Sequence, residues 1–512
     1  MLRKLTNNLA AQCISLAATF AERVLLVGIL VRAWGTPVYA DWVLLMAATG
    51  MIAMAELGLG IYFGNSWQNA VAMGNRPRFN RLVGMSLYCY GVVALVLALA
   101  VGSFALLGGG DGLSDHALSP GSATTVFLLL SGWQIASILR GSISQIYRGH
   151  GEFARGTMFA AVAQFLYVAI GSVAALMGAT APVIASIYMA SAIANGAIMM
   201  VDLRRRYPDV VFRPVRPTLA EFREILGFAK WNLVLMALPV AILNGPVLLL
   251  GAIGVGSAAL AGFALLRTLS NYMRTLSSML SLSTGVEIAP LFHRGEHERV
   301  TTLLFASGRT ISAFSGALCV ALLLLGRELV GHWSGQAGLF DPALMLSLAA
   351  GAVLAAIAAP LFSLFMYSNQ PRPAATSGLL QLAAALILTL ALAPLYGAQG
   401  AAIGLLGGEA IASGILLPLA AQRAFGVRPW RYLGLCLAIA IAAGLWSGGV
   451  ILAVRALVPP GTILGFVVDW TAFTALALAP ALWWSLTGGQ RRHLFRIFIE
   501  RGSRYLGKST SG

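Results

Sequence analysis

The sequence predicts an all-α polytopic membrane protein. We expect about 14 transmembrane helices, arranged as two pseudo-symmetric six-helix lobes and a C-terminal helix pair, with a central cavity. Of the 512 residues, 58% are hydrophobic and 10% are charged, against about 25% charged residues in a soluble domain. The apolar residues form runs of about 20, the length of helix that crosses a hydrocarbon core about 30 Å thick. This composition excludes a soluble enzyme, a DNA-binding protein and a disordered chain.

About 297 apolar positions at about 21 per span give roughly 14 spans. The predicted spans are residues 13–33, 38–63, 83–107, 123–146, 157–178, 182–202, 226–250, 258–283, 301–326, 342–367, 374–394, 399–421, 433–454 and 467–487. Twelve spans with two misread segments is the alternative.

The formal net charge of +16 is explained by topology. When Arg32 and Lys230, which lie near span ends, are counted with the adjacent loops, 26 of the 34 Lys and Arg residues fall on one side, three fall on the other, and five lie within spans. Such a bias marks the cytoplasmic side of a membrane protein. We therefore expect a multi-pass membrane protein with both termini in the cytoplasm. The partners expected are bilayer lipids, and no nucleic acid.

The spans divide the chain into segments with short connections. We predict an N-terminal lobe (1–205), a cytoplasmic linker (206–225), a C-terminal lobe (226–423), an additional helix pair (424–490) and a basic cytoplasmic tail (491–512). The longest outward loops have about 15 residues, too few for a catalytic domain of 50 residues or more. Any function therefore resides among the helices.

A weak internal repeat supports the two lobes. Residues 190–198 (ASAIANGAI) align with 408–416 (GEAIASGIL) at an offset of 218, and Gln164 aligns with Gln381 one residue out of step. The repeat predicts two parallel halves related by an axis normal to the membrane. Chance similarity between Ala/Gly-rich helices is the alternative.

The predicted spans contain several ionisable residues, for which lipid is a costly environment. An arginine at the centre of a span costs about 2.5–3.5 kcal/mol against lipid, so most of them are expected to face water, a partner or a ligand. The residues concerned are Glu22, Arg23, Glu56, Arg140, Arg267, Arg274, Arg309 and Glu409.

The eighth predicted span, 258–283, carries the most informative polar pattern. Arg267, Asn271 and Arg274, together with Ser270 and Ser278, recur at steps of three and four and so share one face. Two arginines on such a face suggest the cationic wall of a wet cavity, whereas hydrogen bonding in a dry bundle is the alternative. Because the guanidinium fork suits phosphate oxygens, the ligand expected is the phosphate or pyrophosphate of a lipid carrier.

No catalytic set emerges from the motifs. A P-loop-like run at 502–509 lacks the strand and helix that such a loop needs, and the H-x-x-E-H run at 293–297 lies in a short loop. We therefore predict a protein that is not an enzyme, with no catalytic residues, no cofactor and no metal ligands.

The stretch ERVLLVGILVRAWGTPVYADWVLLMAATGMIAMAELGLG (22–60), with Gly35, Tyr39 and the L-G-L-G ending at Gly60, resembles the first two helices of polysaccharide and O-antigen flippases. The stretch AKWNLVLMALP (229–239) is similar to the sequence with which the second half of these flippases begins. These flippases belong to the multidrug/oligosaccharidyl-lipid/polysaccharide exporter superfamily. The resemblance implies two lobes that alternate access to a cavity while an undecaprenyl-pyrophosphate-linked oligosaccharide moves from the cytoplasmic to the periplasmic leaflet.

By the same resemblance, the anionic head of the lipid-linked glycan would contact Arg23, Arg267, Arg274 and Arg309, with Asn271 on the same stripe. Glu22 and Glu56 are the candidate ion-coupling carboxylates. Other polysaccharide-assembly membrane proteins are further candidate partners. The alternatives are an ion-coupled multidrug exporter, a lipid II flippase of the same superfamily, and a membrane glycosyltransferase or polymerase.

Overall fold

The computed structural model describes residues 2–56, 58–114, 117–368, 370–458, 462–486 and 491. Every regular element among these residues is helical. Of the predicted basic tail 491–512, only Arg491 falls within this part of the chain, and Leu57 of the L-G-L-G ending lies outside it.

The first part of the chain forms eight α-helices, with a π-helical turn at Ala21–Leu26 and 3-10 turns at Met51–Glu56 and Asp111–Leu113. The α-helices are α1 (Leu2–Phe20), α2 (Val27–Gly50), α3 (Leu59–Ala72), α4 (Arg76–Leu106), α5 (Ser122–Gly149), α6 (Phe153–Leu176), α7 (Ala181–Arg206) and α8 (Leu219–Ala252).

The remainder forms nine α-helices, with a 3-10 turn at Ala337–Leu339 and π-helical turns at Ala412–Leu416 and Phe473–Leu478. These α-helices are α9 (Ser257–His293), α10 (His297–Ser334), α11 (Pro342–Tyr367), α12 (Pro371–Tyr396), α13 (Ala398–Ile411), α14 (Leu417–Phe425), α15 (Pro429–Leu457), α16 (Ile463–Ala472) and α17 (Ala479–Ser485).

The helices confirm a multi-pass membrane protein. In the described part of the chain, 12 helical segments are long and apolar enough to cross a membrane. One of them, Ala10–Glu56, has 47 residues and would be about 70 Å long if straight. Gly35 breaks it with a φ of 75°, so it contains the first two predicted spans. With α9 at the position of the eighth predicted span, the fold agrees with about 14 spans.

The second predicted span, 38–63, is interrupted. The α-helical geometry of α2 ends at Gly50, and Gly58 adopts a left-handed conformation with a φ of 67° before α3 begins. Glu56, predicted within the second span, ends a 3-10 turn. Its carboxylate lies against Gly60, where a Cβ atom would come within 2.7 Å of Glu56 Oε1.

Two compact units divide the chain. The first comprises residues 1–265, 330–339 and 385–401, and the second comprises 266–329, 340–384 and 402–512. The division does not follow the predicted lobe boundary at 206–225, because α8 belongs to the first unit.

Helix α5 is central to the first unit, where it packs against α2, α3, α4, α6 and α7. The core beside it is aromatic: the rings of Phe63 and Trp67 stack at 5.9 Å, and Tyr90 and Tyr147 are fully buried. Aromatic pairs of this kind add to the stabilisation that comes from area burial alone.

In the second unit, small residues allow α10 and α15 to approach closely. Ala313, Ala317 and Ala321 of α10 are buried in one cluster with Ala443 of α15. At Gly316, a Cβ atom would lie 2.1 Å from the carbonyl oxygen of Ala440. Close packing of small residues is a main source of helix association in membranes.

An ion cluster also connects the C-terminal helices to α10. Arg455, near the end of α15, pairs with Glu328 of α10 at 2.7 Å and with Asp469 of α16 at 3.1 Å. The Asp469 side chain is only 2% exposed. Removing one member of such a buried pair leaves an uncompensated charge, so the additional helix pair is held in place by electrostatics as well as packing.

The predicted linker is fixed along α4. Val215 N donates to Gly84 O at 2.9 Å, Asn80 bonds with the backbone of Asp209 and Val211, and Arg76 pairs with Asp209. The segment 207–218 is thus a bound strap, and α8 already begins at Leu219.

Glu221 secures the end of this strap. Its carboxylate accepts from the backbone nitrogen of Thr218 at 2.7 Å in a capping box, and from Arg81 Nε and Nη2 at 2.9 and 3.0 Å. Hydrogen bonding from Arg81 is the main cause that lowers the pKa of Glu221 to about 2.

Replacing Gly316 with Ala is expected to loosen the contact between α10 and α15, because the new methyl group cannot fit against the Ala440 carbonyl. Overpacking of this kind costs about 1–3 kcal/mol, which should appear as a lower Tm of the purified protein in detergent. Gly449→Ala is the matched control on α15, since a Cβ atom there meets nothing within 4 Å. Equal melting temperatures for the two variants would contradict the close contact.

Glu221→Gln is expected to increase amide exchange over residues 218–224 at pH 7, because it removes the ionised partner of Arg81. A depressed pKa contributes stability above the ordinary carboxyl pKa of about 4.3, and that contribution is lost as pH falls toward 2. After correction for intrinsic exchange rates, the wild-type protection should therefore fall toward that of the variant below about pH 4. A constant difference down to pH 2 would show that the carboxylate does not hold the strap.

Candidate functional site

Glu22 lies in the π-helical turn between α1 and α2 and is surrounded by neutral donors. Gln164 Nε2 and Tyr167 Oη, both on α6, donate to Glu22 Oε2 at 2.6 Å each. Tyr188 Oη, on α7, donates to Oε1 at 3.0 Å. We call this group the Glu22 site.

The π-helical turn gives this site its shape. A π turn inserts an extra residue and leaves a backbone carbonyl without its helical partner, and such turns are frequent at functional sites. Within this turn, the carbonyl of Val24 accepts from the backbone nitrogen of Val27 and also from the indole nitrogen of Trp333. The turn therefore directs Glu22 toward α6 and α7, while Arg23, the next residue, is exposed.

Two cations lie near the Glu22 site. Arg23 is adjacent in sequence, and Arg140 of α5 is close enough to Tyr167 to interact with it electrostatically. The three groups that bind the carboxylate are nevertheless neutral. A hydroxyl group can accept as well as donate, and an amide can present its oxygen instead of its nitrogen. The same partners can therefore accommodate Glu22 when it carries a proton or holds a small cation.

Glu409 of α13 forms a second buried carboxylate site. Gln381 Nε2 of α12 donates to Glu409 Oε2 at 2.6 Å, Ser413 Oγ donates to Oε1, and Arg274 of α9 pairs with Oε2. The Glu409 side chain is 5% exposed and that of Arg274 is 32% exposed. We call this group the Glu409 site.

The two sites share a design. Each carboxylate accepts from the amide of one of the two glutamines that the internal repeat aligns, Gln164 and Gln381, at 2.6 Å. A π-helical turn is also found at each site. Glu22 lies within the turn Ala21–Leu26, and the turn Ala412–Leu416 begins three residues after Glu409. The sites differ in charge, since Arg274 supplies a cation to Glu409, whereas the donors to Glu22 are neutral.

The predicted arginines do not form a single described cluster. Arg267 is buried, and Asn271 and Arg274 follow it at one and two turns on α9. The charge of Arg274 is compensated by Glu409, which differs from the expectation of a cation available to an anionic ligand. Arg309 lies in a separate pocket of the same unit with Arg428 and Arg431.

Glu409 lies inside a predicted span but is not among the predicted site residues, and neither are Gln164, Gln381, Tyr167 and Tyr188. The alignment of Gln164 with Gln381 was the available signal, because a shared polar residue in two apolar helices is unusual. The tyrosines gave no comparable signal, since tyrosine in an apolar helix is most often a core residue.

No family model and no curated protein sequence matches the chain. Solved structures do match it. A structure described as "Lipid II flippase MurJ, inward closed conformation" aligns with a TM-score of 0.70 and 11% identity over 92% of this chain and 98% of its own. An inward-facing multidrug resistance MATE family transporter of the MOP superfamily aligns with a TM-score of 0.66 and 15% identity, covering 83% of this chain and 98% of its own.

A third structure is a MOP superfamily transporter from Pyrococcus furiosus, whose description reports a binding pocket of reversed polarity. It aligns with a TM-score of 0.55 and 14% identity over 82% of this chain and 94% of its own. The chain therefore has the fold of MOP superfamily transporters and flippases, as the resemblance in its first two helices implied.

Proposed function

We propose that the protein is a flippase that moves an undecaprenyl-pyrophosphate-linked oligosaccharide from the cytoplasmic to the periplasmic leaflet of a bacterial inner membrane by alternating access. The basic bias of the connections supports an orientation with both termini in the cytoplasm. Polysaccharide export or O-antigen assembly is the process to which this reaction would belong.

One observation carries the proposal: an exposed arginine, Arg23, directly follows a carboxylate held by neutral donors within a membrane-crossing segment. Exposing a guanidinium to hydrocarbon is costly, so Arg23 requires water or an anion. A pyrophosphate supplies an anion whose oxygens fit the guanidinium fork.

The adjacency of Glu22 and Arg23 suggests how transport is coupled to an ion gradient. With Glu22 ionised, the two side chains have no net charge. Uptake of a proton or a monovalent cation by Glu22 changes that sum to +1, and the attraction for a pyrophosphate increases. Release of the ion to the other side reverses the change and favours release of the anionic head.

The other predicted residues have secondary parts in this proposal. Arg267 and Asn271 share the helix face of Arg274, so they extend the polar wall on which the head would move. Arg274 contributes as one member of a neutral pair with Glu409. Glu56 is a second candidate coupling carboxylate, next to Gly60 and close to Tyr90.

The multidrug exporter and lipid II flippase alternatives share this fold. The lipid II flippase structure aligns with 92% of the chain, against 83% for the MATE transporter, so the flippase fold accounts for a larger part of the chain. A cavity for cationic drugs would also be disfavoured by an exposed Arg23.

The glycosyltransferase or polymerase alternative requires acidic residues available for chemistry in the outward loops. Asp111 accepts from the backbone nitrogens of Gly121 and Thr124, and these bonds, Gly121 first, lower its pKa. Asp341 caps α11, and Glu328 pairs with Arg455. These three acids have structural roles, and Asp115 lies outside the described residues.

Arg23→Ala is expected to weaken binding of undecaprenyl pyrophosphate to the purified protein by about 10- to 100-fold, because one charge-assisted contact contributes about 1.5–3 kcal/mol. Microscale thermophoresis in detergent measures the affinity. Arg299→Ala, which removes an exposed arginine near the start of α10, is the matched control and should bind like wild type. Unchanged affinity in Arg23→Ala would remove this arginine from the binding site.

Glu22→Gln is expected to abolish the dependence of flipping on a pH or sodium gradient, because the amide cannot change its charge. The assay is gradient-driven translocation of a fluorescent lipid-linked oligosaccharide in proteoliposomes. Glu409→Gln is the comparison variant: it should lower the Tm, since Arg274 loses its partner, while residual flipping keeps its gradient dependence. A Glu22→Gln protein that still responds fully to the gradient would refute the coupling role.

A further inference from the structure

A second cationic site lies in the second unit, between the first turns of α10 and the start of α15. Its cavity has a volume of about 570 Å³. Among the described residues that line it, three are arginines (Arg309, Arg428 and Arg431) and none is acidic. We call this cavity the Arg309 pocket.

Arg309 contributes to the pocket a hydrogen-bond donor that lacks an acceptor. Its Nε atom is buried, and within the described part of the chain no acceptor forms a hydrogen bond with it. A buried donor of this kind costs free energy until an acceptor arrives. The hydroxyl groups of Thr301 and Thr302 in the lining donate to the backbone carbonyls of His297 and Glu298, so the arginines are the charged donors of the pocket.

The residues at the floor of the pocket are closely packed. The ring of Phe305 meets that of Tyr432 edge-on at 5.3 Å, and Tyr432 Oη donates to Ile357 O at 2.9 Å. A Cβ atom at Gly308 would lie 2.6 Å from Tyr432 Oη. This packing holds α10 against α15 directly below the arginines, and Leu435 adds an apolar side to the lining.

The distribution of charge along α10 and α15 indicates where the pocket lies along the membrane normal. On α10, Arg309 and Arg327 bound 17 residues without charge, and on α15, Arg431 and Arg455 bound 23. These stretches are about 25 and 35 Å long, close to the thickness of a hydrocarbon core. Arg309 was predicted inside the ninth span, 301–326, and α10 extends beyond that span to Ser334. Because the uncharged stretch of α10 begins only after Arg309, we infer that Arg309 lies at the level of the lipid headgroups.

We propose that the Arg309 pocket binds the phosphate group of an anionic phospholipid. Arg309 donates from the floor, while Arg428 and Arg431, which are exposed, close around the phosphate from the start of α15. The positive end of the α15 helix dipole adds to the attraction, and Phe305 and Leu435 contact the glycerol and the first part of an acyl chain. The bound lipid joins α10 to the additional helix pair.

Arg428→Ala with Arg431→Ala tests the site in the full-length protein. Native mass spectrometry compares retention of phosphatidylglycerol with that of phosphatidylcholine. The wild type should prefer phosphatidylglycerol by about tenfold or more, as expected for charge-assisted contacts to phosphate, and the double variant should lose this preference. Arg294→Ala with Arg423→Ala removes two other exposed arginines and should retain it. Equal loss in both double variants would show a diffuse charge effect and overturn the proposal.

Trp430, which is 64% exposed and lies between the two arginines, provides a local readout that does not depend on these variants. Phosphatidylglycerol brominated near the headgroup end of its acyl chain should quench the fluorescence that Trp430→Phe removes, and the corresponding phosphatidylcholine should quench it much less. Equal quenching by both lipids would overturn the site.

Two competitors identify the source of the phosphate. Inorganic phosphate at millimolar concentration should leave the quenching by phosphatidylglycerol unchanged, because it has no acyl chain to bind beside Leu435. Undecaprenyl pyrophosphate should also leave it unchanged when its binding at Arg23 is saturated. Displacement by phosphate would indicate a site for a soluble anion, and displacement by the polyprenyl lipid would indicate a second cargo site. Either result would reject the phospholipid.

Discussion

The hydrocarbon core offers no water to a buried charge, and this constraint determines how the polar residues of the chain are arranged. The carboxylate of Asp41 accepts from the backbone nitrogens of Ala117 and Leu118, in the loop before α5, at 2.8 Å each. Glu409 has the guanidinium of Arg274. Glu22 differs, because the groups that bind it are neutral. The groups that bind Glu22 therefore supply no compensating charge, whereas the charge of Glu409 is compensated by Arg274.

The π-helical turns at the two carboxylates show how an apolar helix accommodates such a group. A regular α-helix satisfies its own backbone but gives its side chains little choice of direction. The widened turns at Ala21–Leu26 and Ala412–Leu416 relax that restriction. In the first of them, the Val24 carbonyl also accepts from the indole nitrogen of Trp333. The recurrence of this arrangement beside the two aligned glutamines gives the weak sequence repeat a structural meaning.

Much of the fold could be predicted because span length and charge bias follow directly from bilayer thickness and topology. The site was less accessible to sequence reasoning. Polar residues at helical spacing indicate a shared face but not the partner on the next helix, so the pairing of Arg274 with Glu409 could not be predicted. The depth of Arg309 in the membrane could not be predicted, because helix ends, which set that depth, are poorly marked in apolar sequence. The break directly after Glu56 was not predicted, because the left-handed Gly58 interrupts a continuous apolar run.

The strap at 207–218 has a practical consequence for work on the protein. Its three prolines and its position between two helices suggest a flexible linker in which the chain could be divided or a reporter or epitope inserted. Its backbone is nevertheless bonded to α4, and tolerance to insertion depends on such bonding rather than on the appearance of the sequence. If the chain were divided within the strap, the two fragments would have to re-form these contacts when they associate. The turn around Gly254, whose backbone is left-handed and has open space beside it, is the better place to divide the chain.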